Sequence, residues 1–208
     1  MKTCDDNAFE LAIVDPPYGI NADVSQNKAG KVRLDKEGNI KSNHGWKSYK
    51  ETSWDSHPPS PEYFKELFRV SKNQIVWGGN YMIGNLHPSQ GWVCWNKMQR
   101  EFSLADGELA WTSFNLAMRI FDMSRGEALS KNSKRFHPTQ KPVKLYDWLL
   151  VKYAKPGDKI LDTHLGSGSS AIAAHYAGHD FVGCEIDKDY FDAAQARIES
   201  ATAQVDMF

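Results

Sequence analysis

The segment from residue 159 to residue 185 constrains the fold of this chain more than any other. An apolar run at 159–162 leads into a loop rich in glycine and serine, then into a helix-forming stretch at 170–177 and a second apolar run at 181–185. Two short buried strands that are joined by a helix are typical of a doubly wound α/β sheet. We therefore predict an α/β fold with a mostly parallel sheet.

The rest of the chain continues this alternation of apolar runs and amphipathic stretches. The pattern predicts strands at 11–14, 74–77 and 92–95 with one or two more within 109–121, and helices at 61–70, 142–153 and 190–198. A chain of 208 residues has the size of one such domain, so we expect a single domain over 1–208. Residues 21–60 are polar and predict a long mobile loop.

The loop after residue 162 has the features of a nucleoside cofactor site. Gly166 and Gly168 allow a tight turn and close approach of a ligand, and Glu185 lies 23 residues after Asp162 at the end of the next strand, where it can accept ribose hydroxyls. The complete glycine pattern of dinucleotide sites is absent, and an acidic loop suits the sulfonium of S-adenosylmethionine better than a pyrophosphate. The predicted cofactor-binding residues here are Asp162, His164, Gly166, Ser167, Gly168, Ser169, Glu185 and Asp187.

A second motif, Asp15-Pro16-Pro17-Tyr18, follows the buried run at 11–14. The Asp15 carboxylate and the Pro16 carbonyl can accept both N–H groups of an amino group, while the prolines donate no backbone N–H. Tyr18 offers a ring for stacking on a planar base. A plain strand followed by a Pro-Pro turn is the alternative interpretation of the same residues.

A third motif, His137-Pro138-Thr139-Gln140-Lys141-Pro142, precedes the predicted helix at 142–153. Thr139, Lys141 and the free N–H groups at the helix start are suited to a carboxylate, such as that of the methionine moiety of the cofactor. By itself the motif is better explained by a helix start that carries a snorkelling lysine.

The net charge of −1 conceals an uneven distribution. Residues 21–50 carry seven basic and three acidic side chains, residues 119–144 carry seven basic and two acidic, and residues 145–208 carry five basic and ten acidic. A solvated face explains either basic segment better when it is taken alone, whereas the two segments together suit phosphate contacts. No apolar window has the length of a membrane span or a signal peptide, and three scattered cysteines indicate a reduced intracellular protein. Trp54 lies in a polar stretch, where a core role is not expected.

Taken together, the three motifs resemble those of the DNA amino-methyltransferases of the β class, whose motif order is circularly permuted. In that class the Asp-Pro-Pro-Tyr motif precedes target recognition and the cofactor loop comes last. The resemblance implies a Rossmann-like methyltransferase domain, with Asp15, Pro16, Pro17 and Tyr18 as catalytic residues, and target recognition at about 96–136. It also implies methyl transfer from S-adenosylmethionine to N6 of a flipped-out adenine in double-stranded DNA, by direct displacement. The implied location is the cytoplasm of a prokaryote or phage-infected cell, and the oligomeric state stays open, with a homodimer as one option.

Several alternatives stay open at the level of sequence. Cytosine N4 has the same amino geometry, and RNA adenine is a further substrate, although the motif order disfavours it. The family's Asp-Pro-Phe is Asp162-Thr163-His164-Leu165 in this chain, and no strand is evident before residue 11, so a DNA-binding remnant with a partial cofactor pocket is another hypothesis. Methylation of cytosine C5 is rejected, because it needs a nucleophilic cysteine that typically follows proline, and Cys4, Cys94 and Cys184 do not.

Overall fold

A computed structural model of the protein describes residues 1–21, 33–34, 40–41, 54–100, 105–128, 137 and 139–203. The strands in chain order are β1 (Phe9–Val14), β2 (Arg33–Leu34), β3 (Ile40–Lys41), β4 (Ser71–Trp77), β5 (Trp92–Asn96), β6 (Gly107–Thr112), β7 (Arg119–Asp122), β8 (Lys159–Asp162) and β9 (Asp180–Gly183). The helices are α1 (Pro61–Val70), α2 (Arg125–Ala128), α3 (Val143–Tyr153), α4 (Ser169–Tyr176) and α5 (Lys188–Thr202).

Seven of these strands form one sheet in the order β7-β5-β6-β4-β1-β8-β9, and the short β2 and β3 pair with each other. Within the seven-stranded sheet, β6 is antiparallel to both of its neighbours and the other pairings are parallel. Strand β1 lies between β4 and β8, with Leu11 opposite both Asn73 and Ile160. This arrangement confirms the predicted α/β fold with a mostly parallel sheet, and it brings the carboxyl ends of β1, β8 and β9 to the same edge.

Both faces of the central strand are buried. Leu11 and Ile13 belong to one core cluster, which includes residues of α3, whereas Ala12 and Val14 belong to another, which includes Phe64 of α1. Successive side chains of a strand point to opposite faces, so two covered faces require an uninterrupted apolar run. This is the physical reason why β1 shows no polar alternation and could be recognised as a buried strand.

Several element boundaries differ from the predictions by up to four residues. Strand β9 ends at Gly183, so Glu185 lies two residues beyond it, and the last strand of the predicted range 109–121 is β7, which begins only at Arg119. Most of the predicted loop at 21–60, and residues 101–104 and 129–136 of the predicted recognition segment, lie outside the described residues. Those two assignments and the single-domain assignment stay predictions. Among the described residues, no helix is both long and apolar enough to span a membrane.

Helix α3 offers a direct test of the core. Leu149 is fully buried against the sheet and Val151 is 84% exposed on the same helix. Because Leu149→Ala leaves a cavity, we expect it to lower the free energy of unfolding by about 2–5 kcal/mol. Val151→Ala, the matched control, should change it by less than about 0.5 kcal/mol. Urea titration followed by circular dichroism measures both, and equal losses in the two variants would contradict the described packing of α3.

Candidate active site

A cavity of about 450 Å³ lies where the carboxyl ends of β1 and β8 meet. It is lined by residues of all three sequence motifs, which the sheet and its loops bring together although they are up to 172 positions apart. The predicted residues that line it are Asp15, Pro17, Thr139, Lys141, His164, Gly166, Ser167, Ser169, Glu185 and Asp187. The other predicted residues, Pro16, Tyr18, Asp162 and Gly168, are neighbours of lining residues in the chain and do not line the cavity themselves.

Asp15 follows the last residue of β1 and makes two contacts with its carboxylate. Its Oδ1 accepts a hydrogen bond from the Tyr18 hydroxyl at 2.8 Å, and its Oδ2 lies 2.6 Å from the ammonium of Lys141. A carboxylate oxygen has two acceptor positions, so the contacts of the described residues leave one on each oxygen. Asp15 can therefore accept a further N–H donor without losing either partner.

Lys141 joins Asp15 to a residue that no sequence motif indicated. The Lys141 side chain is buried, and its ammonium contacts Glu108 on β6 at 3.1 Å as well as Asp15. Glu108 in turn lies 2.6 Å from the ammonium of Lys97. The predicted contact between Lys141 and a cofactor carboxylate is not what this geometry favours, because the ammonium is directed at two carboxylates of the protein. Thr139, whose side chain also lines the cavity, keeps that predicted role.

The charges in this cluster stabilise one another against the cost of burial. Burial alone would raise the pKa of Glu108, but Lys141 and Lys97 outweigh it and lower the pKa to about 2. Burial would lower the pKa of Lys141, and the two carboxylates reverse that shift. The pKa of Asp15 is raised by burial, with Lys141 opposing the shift. Lys141 and Glu108 are thus charged at neutral pH, and Asp15 is the member most easily protonated.

The ring of Tyr18 is already stacked. Tyr81 lies parallel to it, with 5.2 Å between the ring centroids and 16° between the planes. A Cβ on Gly78 would come within 2.2 Å of the Tyr18 ring, so only glycine fits there. Tyr81 therefore covers one face of the Tyr18 ring, and the Tyr81 side chain is itself half-exposed. The stacking of Tyr18 on a target base stays a prediction.

The loop after β8 is held by buried hydrogen bonds that explain its composition. Asp162 is buried and accepts hydrogen bonds from the His164 N–H at 2.9 Å and the Ser170 hydroxyl at 2.6 Å. Gly168 has a φ of +75° before α4, and a Cβ there would lie 2.9 Å from Ile198. Asp162 and Gly168 thus shape the loop and do not line the cavity. Ser169 donates to the carbonyl of Lys141 at 2.7 Å, which ties the loop to the third motif.

Glu185 closes the cavity on the β9 side. Its Oε2 accepts a hydrogen bond from the Gly166 N–H at 2.8 Å, and its Oε1 accepts from the N–H groups of Ile186 and Asp187. These contacts use three of about four acceptor positions of the carboxylate, and the fourth is available to a ligand hydroxyl. Asp187 accepts hydrogen bonds from two N–H groups at the start of α5, so its role is that of a helix cap at the cavity rim.

The cavity wall combines negative charge with apolar and aromatic surface. Three lining carboxylates (Asp15, Glu185 and Asp187) accompany one lining ammonium, that of Lys141, which Glu108 also shares. Aromatic rings line the opposite side, where the ring centroids of His137 and Tyr190 are 4.5 Å apart and those of His137 and Trp54 are 5.8 Å apart. Ile186 projects into this space and is 99% exposed. Such a site suits a cation that carries an apolar or planar group.

Thr163 and His164, which depart from the family's Asp-Pro-Phe, form a polar network behind the loop. The Thr163 hydroxyl lies 2.7 Å from the Tyr63 hydroxyl and 3.0 Å from Nδ1 of His164. Burial lowers the pKa of His164 to about 4, so the imidazole is neutral at physiological pH. A neutral ring does not add positive charge to the cavity.

Three important residues were missed at the level of sequence. Glu108 breaks the apolar pattern of a strand, and this was the available signal. Asp55, which is 1% exposed, and Tyr146, which lines the cavity, had no signal beyond their residue types. Trp54 was expected to lie outside the core, and it lines the cavity.

Comparison with known proteins agrees with this fold. A family model described as DNA methylase matches residues 76–196, which is 121 of the 208 residues. The chain therefore belongs to this family of N6/N4 DNA methylases.

Individual relatives are distant. The chain is 27% identical to the type II methyltransferase M2.DpnII of Streptococcus pneumoniae over 158 residues, which is 75% of this chain and 53% of that protein. The chain thus spans about half the length of that relative. Among solved structures it is similar to the M1.HpyAVI–SAM complex (TM-score 0.56, 17% identity, 92% of this chain and 89% of that chain). It is also similar to the cytosine-N4-specific PvuII DNA methyltransferase (TM-score 0.58, 12% identity, 97% and 86%). These two similarities establish the fold.

The buried carboxyl of Asp162 gives a pH-dependent prediction. Burial raises its pKa to about 7 in the folded protein, above the ordinary value of 3.8. The folded state then holds the proton more tightly than the unfolded state, so this group favours folding most below pH 4, and its contribution is lost as the pH rises to about 7. Because Asp162→Asn cannot ionise, we expect its free energy of unfolding, relative to the unsubstituted protein, to increase between these pH values and then level off.

Denaturant titrations at several pH values measure this difference. Asp180→Asn, at an exposed position of the adjacent strand β9, is the matched control for the loss of a carboxylate. A difference for Asp162→Asn that stays constant from pH 4 to pH 8 would contradict the raised pKa.

Proposed function

We propose that this chain is an S-adenosylmethionine-dependent methyltransferase that acts on N6 of adenine in double-stranded DNA. The observation that carries the proposal is the shared cavity, in which an amino-accepting carboxylate, Asp15, and a ribose-accepting carboxylate, Glu185, line the same space. Methyl transfer without a covalent enzyme intermediate needs both reactants in line within one site. The family match supports the reaction class, and the Asp15-Pro16-Pro17-Tyr18 motif supports an amino group on a planar base as the substrate.

The residues of the cavity fit S-adenosylmethionine. The free acceptor position of Glu185 is available to a ribose hydroxyl, and Ile186 offers an apolar surface to the purine ring. Thr139 and the free N–H groups at the start of α3 suit the carboxylate of the methionine moiety. The excess of carboxylates in the wall favours a sulfonium cation and disfavours a pyrophosphate. When bound, the cofactor supplies the methyl group.

Asp15 and the carbonyl of Pro16 act on the other reactant. The lone pair of an adenine amino group is delocalised into the ring, so the group is a poor nucleophile. Acceptance of both N–H groups by Asp15 and Pro16 favours a pyramidal nitrogen and stabilises the positive charge that develops on it. Lys141 holds Asp15 in place through Oδ2, and Glu108 holds Lys141. The raised pKa of Asp15 suits it to receive the proton that the methylated nitrogen releases.

The proposed partner is duplex DNA, with the target base flipped into the site. Arg119 and Lys144 are exposed in the second basic segment and suit phosphate contacts, while Lys131, Lys134 and Arg135 lie outside the described residues. The predicted recognition segment at 96–136 stays part of this proposal, as does a location in the cytoplasm of a prokaryotic or phage-infected cell.

Transfer to N4 of cytosine is the second candidate. Asp15 and Pro16 recognise an amino group and not the ring that carries it, and the fold is shared with a cytosine-N4-specific enzyme. The choice of adenine follows the family tendency for aspartate at the first position of the catalytic motif.

Methyl transfer from labelled S-adenosylmethionine tests the proposal. The unsubstituted protein should label duplex DNA in preference to RNA of matched sequence, and digestion to nucleosides should yield N6-methyladenosine in its deoxy form. Asp15→Ala removes the acceptor that stabilises the developing charge, so we expect the rate to fall by about 10²–10³-fold or more. Asp180→Ala, a carboxylate removed outside the site, is the control. Labelled N4-methylcytosine would favour the second candidate, and activity that survives in Asp15→Ala would overturn the assignment.

Cofactor binding can be tested separately at Ile186. Its side chain is almost fully exposed, so truncation leaves the core unchanged. Loss of this apolar contact should weaken the binding of S-adenosylmethionine by about tenfold, which corresponds to about 1.4 kcal/mol. Isothermal titration measures Ile186→Ala against Val151→Ala, an exposed truncation on α3. The complete absence of binding in the unsubstituted protein would favour the DNA-binding remnant.

A further inference from the structure

Asp55 lies outside all three motifs and contacts the catalytic turn directly. Its Oδ1 accepts hydrogen bonds from the N–H groups of Tyr18 at 2.6 Å and Gly19 at 2.9 Å. The carbonyl of Asp55 also accepts from the N–H of Asn21 at 3.0 Å. Since residue 55 is 1% exposed, this carboxylate is withdrawn from water and held by backbone donors.

The sequence of the turn explains why these two N–H groups matter. Pro16 and Pro17 donate no backbone N–H, so the N–H groups of Tyr18 and Gly19 are the first in the chain after that of Asp15. A charged acceptor makes shorter and stronger hydrogen bonds than a neutral one. Asp55 therefore holds the turn through the first backbone N–H groups that follow the two prolines. These groups lie on the carboxyl side of the residues that face the target.

The turn is also held tightly from outside. Gly19 has a φ of +75°, and a Cβ there would come within 2.7 Å of Pro58. Pro58 is three residues after Asp55 in the chain, so one short segment both anchors the turn and packs against it.

The residue before Asp55 belongs to the cofactor side of the cavity. Trp54 lines the cavity and packs against His137, which packs against Tyr190 at the start of α5. Two adjacent residues thus contact the two halves of the site.

We infer that Asp55 is a positioning residue, which orients the Pro16 carbonyl and Tyr18 toward the target through the Tyr18 and Gly19 N–H groups. It does not touch the target or the cofactor. This inference rests on the proposed function. Its role differs from that of Lys141, which holds the side chain of Asp15, because Asp55 holds the backbone of the turn.

The test compares Asp55→Ala and Asp55→Asn with Asp158→Ala. Asp158 accepts the N–H of Lys155 at 2.8 Å in the exposed turn before β8, at the end of that strand opposite to the cavity, and it is the matched control for a carboxylate that holds backbone. Misplacement of a reacting group by about 1 Å costs about 10²-fold, so we expect kcat of Asp55→Ala to fall about 100-fold. The dissociation constant of S-adenosylmethionine should stay within about threefold, because the residues that face the cofactor are unchanged.

Asp55→Asn keeps an oxygen acceptor without the charge, so kcat should recover partly. Amide exchange measured by nuclear magnetic resonance gives a readout that does not need activity. In Asp55→Ala the amides of Tyr18 and Gly19 should exchange faster, while those of β1 keep their rates. If Asp55→Ala does not fold, the same comparison is made with Asp55→Asn.

The outcomes separate the two proposals. Faster exchange at Tyr18 and Gly19, in a protein without methyl transfer, would contradict the proposed function and leave the anchoring contact intact. Methyl transfer that is unchanged in Asp55→Ala, or a loss of kcat equal to that in Asp158→Ala, would overturn the positioning role. Equal losses in kcat and in cofactor affinity would also overturn it, because they would indicate a general collapse of the site.

Discussion

The buried ammonium of Lys141 is the contact on which the rest of the site depends. It brings the carboxylate at the end of β1 and the carboxylate of Glu108 on β6 to one point, although like charges at that distance would repel each other without it. Its own backbone carbonyl accepts from Ser169 at the start of α4. One residue thus connects the turn after β1, the antiparallel strand β6 and the loop after β8. Burial of any one of these charges by itself would cost free energy, and the attraction between opposite charges offsets that cost.

The order of the strands explains how a site can be assembled from distant parts of the chain. Strand β1 comes early in the sequence and β8 comes late, yet they are neighbours in the sheet, with Leu11 opposite Ile160. Parallel strands present their carboxyl ends at one edge, so Asp15 and the loop after Asp162 meet there. A permuted order of motifs therefore changes the connections between strands and leaves the edge itself unchanged.

Whether a feature of the site could be predicted depends on how far apart in the chain its interacting residues are. The turn after β1 and the loop after β8 were recognised because prolines, glycines and buried apolar runs act on their own neighbours. Glu108 and Asp55 were missed because partners of each are distant in the chain: Lys141 is 33 positions from Glu108, and Tyr18 is 37 positions from Asp55. Lys141 was recognised as a site residue, but its pairing was not, since two partly buried carboxylates, Asp15 and Glu108, hold an ammonium that the sequence suggested for a ligand. The stacking of Tyr18 on Tyr81 was not predicted either, because these two residues are also distant in the chain.

The sequence by itself determined the fold class and the buried central strand, and it predicted the residue types of the two reactant sites. Local backbone preference and hydrophobic periodicity are sufficient for these features. Only the tertiary structure decided which charges pair, that Asp162 and Gly168 shape the loop, and that Asp55 anchors the catalytic turn. These features depend on which side chains lose water together, and burial is a property of the assembled sheet and its helices. The Asp15 carboxylate is a catalytic candidate from its motif, and its partners follow from its place in the fold.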